Sequence, residues 1–206
     1  MNMIKNTRYV LPILIFIGFL SACAASQPVA DPLPSWNNGV SKQRIIDFVA
    51  NVTDSNKNTF VPENERIATF DNDGTLWSEK PAYFQLLFIV DRIKSMAVDH
   101  PEWKTAQPFQ AVLEDDMTTL KSAGERGLVK LTLATHAGMT TEEFEMIVKN
   151  WLATGKHPTT GKAYTEMVYQ PMLELINFLR ANNFKIFIVS GGGIEFMRPW
   201  TEAVYG

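Results

Sequence analysis

Two carboxylates spaced two residues apart, Asp71 and Asp73, end the run Ile67-Ala-Thr-Phe70 and are followed by Gly74, Thr75 and Leu76. The apolar run reads as a buried strand, and Asp-Asn-Asp-Gly as the turn that ends it. Acidic groups at the carboxyl edge of a sheet lie where open α/β folds keep their chemistry. While the backbone stays extended, both side chains point to one side and repel unless a cation or a shared proton lies between them. Metal-assisted chemistry is the sharper reading of this pair. An Asx-turn or a surface calcium loop has the same spacing, although the segment is short of further oxygen ligands.

A second segment of chemical character lies far along the chain. Phe184-Lys-Ile-Phe-Ile-Val189 runs into Ser190-Gly191-Gly192-Gly193, and a helical pattern follows from Ile194 to about Val204. The apolar run is typical of a parallel strand covered on both faces. Three glycines let the backbone turn tightly, so that free amides at the helix start and the Ser190 hydroxyl can converge on an anion. A Gly-rich passage from strand to helix can also be no more than a turn.

Phe70-Asp71-Asn72-Asp73-Gly74-Thr75-Leu76 resembles the first signature motif of the haloacid dehalogenase-like (HAD) hydrolases, most of which are phosphatases. The resemblance implies that Asp71 is the nucleophile and forms an aspartyl-phosphate. It makes Asp73 the general acid and base, which protonates the leaving oxygen and then activates water. It also implies Mg2+ held by the Asp71 carboxylate and the Asp73 backbone carbonyl. Asp73 separates the chain from the dehalogenases proper, which lack that acid, and from the P-type ATPases, which carry Thr there. Val189-Ser190-Gly191-Gly192 is similar to the second motif in its phosphoserine phosphatase-like form. By that resemblance Ser190 binds the transferring phosphoryl group, helped by the Gly191 amide. The implied fold class is α/β, a HAD-like Rossmannoid parallel sheet with an inserted helical cap.

Around these motifs the chain divides into a core at 41–79 and 166–206 and a cap at 80–165. Ser41 is the expected N-cap for a helix to about Thr53, with Ile45, Ile46, Phe48, Val49 and Val52 as its apolar stripe. From Lys80 to about Tyr169 the patterns are helical: Ala82 to Val98, Phe109 to Ala123, Glu125 to Ala137 and Thr141 to Leu152. Thr140 and Glu143 form a capping box for the last of these, and Gly155 stops it. A further helix runs from Thr165 to Ala181. About ninety helical residues exceed what a crossover needs, and by the resemblance they are the cap. Its aromatic residues read as core, with Trp77, nearest the hinge, the one that could line a substrate cavity. Glu79 could contact a substrate amine or hydroxyl, or simply be solvated or cap a helix.

The start of the chain reads as a targeting segment. Lys5 and Arg8 precede a twelve-residue apolar run, Tyr9 to Leu20. That run is short for a membrane span and has the length of a signal-peptide core. Leu20-Ser21-Ala22-Cys23 resembles a bacterial lipobox, which implies cleavage after residue 22 and lipidation of Cys23, the only Cys in the chain. An ordinary secretory signal is the alternative. Residues 23–40, rich in Pro, Ser and Asn, read as a flexible tether. The expected place is the bacterial cell envelope, lipid-anchored, in the outer membrane facing the periplasm. The net charge is −3 and no basic cluster stands out, so nucleic acid is not an expected partner.

The family pattern also calls for a Lys and a further acidic pair after the second motif. Only sixteen residues follow Ser190, and their two acids, Glu195 and Glu202, belong to the helix after the second strand. The sequence offers two strands where a doubly wound sheet has about five. The chain therefore reads as the front part of a longer protein, and the 206 residues are not expected to turn over substrate by themselves. The expected function of the lineage is Mg2+-dependent hydrolysis of a small phosphomonoester: a phosphorylated amino acid, alcohol, sugar or nucleotide. A non-catalytic envelope lipoprotein that keeps the fold is the alternative from another class, and phosphotransfer to an acceptor other than water is a third.

Overall fold

The computed structural model describes residues 30–206. The expected signal segment and Cys23 lie outside the described residues. Residues Asp31–Gly206 make one compact unit, and no described helix is long and apolar enough to cross a membrane.

Two four-residue strands, β1 (Ile67–Phe70) and β2 (Lys185–Ile188), pair in parallel with Ile67 opposite Lys185 and Phe70 opposite Ile188. The Val189 amide donates to the Phe70 carbonyl at 2.8 Å. Both strands therefore release their chains at the same edge, and Asp71 and Ser190 begin neighbouring loops. Parallel pairing requires a crossover, and helices fill it. One helix precedes β1, namely α1 (Val40–Thr53). Between the strands come α2 (Phe84–Met96), α3 (Phe109–Leu113), α4 (Met117–Ser122), α5 (Gly124–His136), α6 (Thr141–Thr154) and α7 (Gln170–Ala181). The helix after β2 is α8 (Ile194–Tyr205). The result is a mostly helical α/β arrangement around a two-stranded parallel sheet.

Several expectations are sharpened or corrected. The helix expected over Phe109 to Ala123 is broken in two, because Asp115 adopts the left-handed region at φ 55°. An acidic side chain that can bond to its own backbone tolerates that conformation. The Asp116 carboxylate then caps α4, accepting the Thr118 and Thr119 amides. The Thr140–Glu143 capping box is present as expected. In α7 the helix starts at Gln170 rather than Thr165, with Pro171 in its first turn, and Tyr164–Glu166 forms a separate 3₁₀ turn. Proline lacks the N–H that a preceding helical turn would bond, so it favours a helix start. At α1, Gly39 rather than Ser41 holds the cap position, without a side-chain bond.

The tether expected over 23–40 does not extend to residue 40. Leu33 is fully buried, and the Trp36 indole N–H donates to the Pro171 carbonyl at 2.8 Å. The Ser35 amide and hydroxyl both donate to the Glu174 carboxylate, and Asp31 pairs with the buried Lys42. Two apolar side chains and an ion pair between exposed Asp31 and buried Lys42 thus strap residues 31–39 onto α1 and α7.

The sheet also departs from a fully covered one. Ala68, Phe70, Ile186 and Ile188 turn inward, whereas Ile67 and Phe187 are at least half exposed. Among the described residues only one face is packed, and the alternation is that of a half-covered sheet. Val49 and Val52 of α1 and Leu179 of α7 meet Phe184, Ala68 and Ile186 in a small cluster there. The larger core joins Phe84 and Phe88 of α2, Phe144 and Val148 of α6, and Phe196 and Trp200 of α8. Helices of the 80–165 segment therefore pack directly on the helix that follows β2.

Candidate active site

A cleft of about 640 Å³ opens where the two loops leave the sheet, and Asp71, Asp73, Ser190 and Gly191 all line it. Glu79 lies on the same wall. The far side is made by Tyr83, by Gln85, Leu86 and Ile89 of α2, and by Leu128 and Thr132 of α5. The four residues singled out from sequence thus face one space, although more than a hundred positions separate the acids from the serine.

The acid loop is tied to the protein by buried groups on either side of the acids. Asn72 is buried, and its side-chain oxygen accepts from the Tyr205 hydroxyl at 2.8 Å. Its carbonyl accepts from the Thr75 and Leu76 amides. Gly74, at φ 73°, turns the chain in the region that favours glycine and returns its amide to the Trp77 carbonyl. A side chain at Gly74 would also lie 2.9 Å from the Glu79 carboxylate. Leu76 and Ser78 bond on to Tyr169 and Met167, which fixes the end of the loop.

Trp77 has a different part from the cavity-lining one expected. It is almost wholly buried, stacked on Trp200 with ring centroids 4.1 Å apart, and its indole N–H donates to Asp73 Oδ1 at 2.7 Å. A buried indole needs a hydrogen-bond partner, and here the partner is an acid of the site. Trp77 therefore orients Asp73 from behind. Asn72, Trp200 and Tyr205 were not legible as site residues. The only signals were the position of Asn72 between two acids and two aromatic residues near the chain end.

Charge is distributed unequally over the two acids. Asp71 is exposed, and one of its oxygens accepts the Asn72 amide at 2.8 Å. Asp73 is half-buried, and its carboxyl is held above the ordinary range chiefly by burial. The Asp71 and Glu79 charges push the same way, while the bond from Trp77 opposes them. Pushing one acid of a pair toward its protonated form is how active sites separate acid from base. The Tyr205 hydroxyl, buried near Asp73, is held far above its ordinary range.

On the other strand, Ser190 Oγ accepts the Gly192 amide at 3.1 Å, and the Gly193 amide donates to Gln85 Oε1 at 2.7 Å. Two of the three glycine amides are thus occupied within the protein. Gly191 is exposed, and its amide has no acceptor among the described residues. Of the amides expected to be free around the helix start, those of Gly192 and Gly193 are therefore already engaged.

Among the described residues no three His, Cys, Asp or Glu side chains are gathered to hold a metal ion. The acid loop nonetheless fits one side of a magnesium site. Asp71 presents an exposed carboxylate, and no described backbone amide donates to the Asp73 carbonyl. Hard oxygen donors of this kind, completed by water, suit an octahedral Mg2+.

A parallel sheet whose carboxyl edge carries an acid pair beside a Ser-Gly turn, with helices packed over the opening, has the α/β arrangement of the Rossmann-like class, which keeps its ligands at that edge. Compared with family models, residues 68–206 match the haloacid dehalogenase-like hydrolases, and the chain belongs to that family of hydrolases. A comparison with curated proteins returned no match.

Proposed function

We propose that this cleft captures the phosphoryl group of a small phosphomonoester on Asp71, in a magnesium-dependent hydrolase of the phosphoserine phosphatase-like kind. The observation that carries the reading is that Asp71, Asp73, Ser190 and Gly191 line a single cleft. Asp71, exposed and with its second oxygen bonded by no donor among the described residues, attacks phosphorus. Asp73, kept toward its protonated form by burial and fixed by Trp77, gives its proton to the leaving oxygen. Having lost that proton, it draws one from the water that opens the aspartyl-phosphate. The Ser190 hydroxyl and the Gly191 amide hold the phosphoryl oxygens, where preorganised donors count for most. Mg2+, held by the Asp71 carboxylate and the Asp73 carbonyl, would offset the repulsion between two anions.

Every protein group named for phosphoryl capture lines this cleft, so it is the step to test. Beryllium fluoride added with Mg2+ should give a 19F signal that maps to Asp71 and is absent from Asp71→Asn. A signal that persists in Asp71→Asn would overturn the assignment. We also propose that the mature protein is anchored in the bacterial envelope through acylated Cys23. Mass spectrometry of the exported protein should find an acylated Cys23 at its amino terminus, and a free Met1 terminus would end that reading.

A further inference from the structure

The Ser190 loop is held by one side chain from the opposite wall of the cleft, and the hydrogen bonds behind that side chain can be assigned one by one. The Gly193 N–H can only donate, so the atom 2.7 Å from it must be the Gln85 oxygen. The carboxamide nitrogen of Gln85 then faces His136 Nε2 at 3.4 Å. An amide N–H needs an acceptor, so Nε2 carries no proton and the imidazole is neutral with its proton on Nδ1. That proton goes to Thr135 Oγ1 at 2.8 Å, while the Thr135 hydroxyl donates to the Leu131 carbonyl at 2.9 Å. One backbone amide thereby fixes the roles of three side chains in sequence, Gln85, His136 and Thr135.

Gly193 is shaped for this contact, since a Cβ there would lie 2.5 Å from Gln85 Nε2. Apolar rings and a neighbouring cation favour neutral His136. Phe88 of α2 and Phe144 of α6 flank the ring, with Phe144 at 4.5 Å between centroids. The charge that bears on it is Arg92 of α2, which donates to the Thr135 carbonyl at 2.8 Å. Burial holds the imidazole below its ordinary value; the Thr132 carbonyl opposes it, and the Arg92 charge adds a smaller push in the same direction as burial.

We propose that Gln85 is a positioning residue: it clamps the Gly193 amide, and so the Ser190 loop, to α2 in an orientation that neutral His136 enforces. The part of this inference that concerns phosphoryl binding rests on the function proposed above. Protonating His136 places an N–H against the Gln85 amide nitrogen. The carboxamide must then turn over, which sets its NH2 group against the Gly193 N–H and breaks the clamp. The clamp is therefore present at neutral pH and lost as pH falls through the His136 value, which lies below the ordinary 6.5.

The clamp is tested by 15N NMR on the full chain. The His136 ring should show the Nδ1–H tautomer, and the Gly193 amide should shift with the His136 titration. Gln85→Leu should speed hydrogen exchange at Gly193 by roughly tenfold, the loss of one net hydrogen bond. Gln85→Glu keeps an oxygen for Gly193 but places a carboxylate beside His136. It should restore the slow exchange and raise the His136 midpoint, neither of which a purely structural side chain would do. A Gly193 amide indifferent to both His136 titration and Gln85→Leu overturns the proposal, as does an Nε2–H tautomer. If beryllium fluoride fails to reach Asp71 while Gly193 follows His136, the clamp stands and the phosphoryl reading falls. If capture succeeds and Gly193 is indifferent, the clamp alone falls.

Discussion

The two loops that build the cleft begin alike and are secured differently. Each follows a four-residue parallel strand with the same alternation of exposed and half-buried positions, and each starts at the same level of the sheet. Beyond that point the acid loop is pinned by buried side chains: Asn72 to Tyr205, Trp77 to Trp200, and Trp77 to Asp73. The Ser190 loop has no such anchors among the described residues. It is held by its own serine hydroxyl and by one carboxamide from α2. The difference corresponds to the parts proposed for them. A nucleophile and a general acid need fixed directions before substrate arrives. An anion cradle can close on its ligand, because amides and a hydroxyl are drawn in by the charge they bind.

Substitutions at the anchors test this contrast, and the largest effect is expected where the acid loop meets α8. Trp77→Ala removes a buried ring stacked on Trp200 and should cost about 3–5 kcal/mol in urea unfolding. A cost below about 1 kcal/mol would mean that the loop is not pinned by its core. Tyr205→Phe keeps the ring but leaves the buried Asn72 oxygen without its donor, with an expected cost of about 1–3 kcal/mol. Its sharper readout is hydrogen exchange at Thr75 and Leu76, which bond to the Asn72 carbonyl and should exchange faster.

Ser190→Ala should cost no more than about 1 kcal/mol, since only the half-buried Gly192 amide loses a partner. The same variant should weaken capture of beryllium fluoride far more than it lowers stability. An equal loss in both would erase the distinction between the loops.

The smallest expected stability effect has the opposite sign. Asp73 has a raised carboxyl value in the folded protein, so its ionised form is better accommodated unfolded. Wild-type stability therefore declines as pH rises through the folded value and is unaffected by this group below the unfolded one. Asp73→Asn, in metal-free buffer, should melt higher than wild type at neutral pH. The gap should close on acidification, and an Asn variant that melts lower at pH 7 would contradict the burial of this acid.

Much of this organisation was legible in the sequence because it is local. Strand character at Ile67–Phe70, the acid turn, the glycine run and the Thr140–Glu143 capping box each depend on residues within a few positions of one another. Local pattern fails where a single residue decides. One left-handed Asp115 split a helix whose apolar spacing continues across the break. Buried Leu33, and Trp36 through its indole N–H, brought part of a Pro-rich segment down onto the domain, although its composition reads as a tether.

What only the tertiary structure decided are the pairings between distant segments. The sequence placed Asp71, Asp73, Ser190 and Gly191 on two loops, and parallel register then set those loops side by side. It could not show that Trp77 faces away from the cleft toward Trp200, because an aromatic residue packs equally well in a core or a cavity wall. Nor could it show that Tyr205 holds Asn72, or that Gln85 takes the Gly193 amide, across separations of 133 and 108 residues. Side-chain chemistry limits what a residue can do, and the direction in which the fold turns it selects among those possibilities.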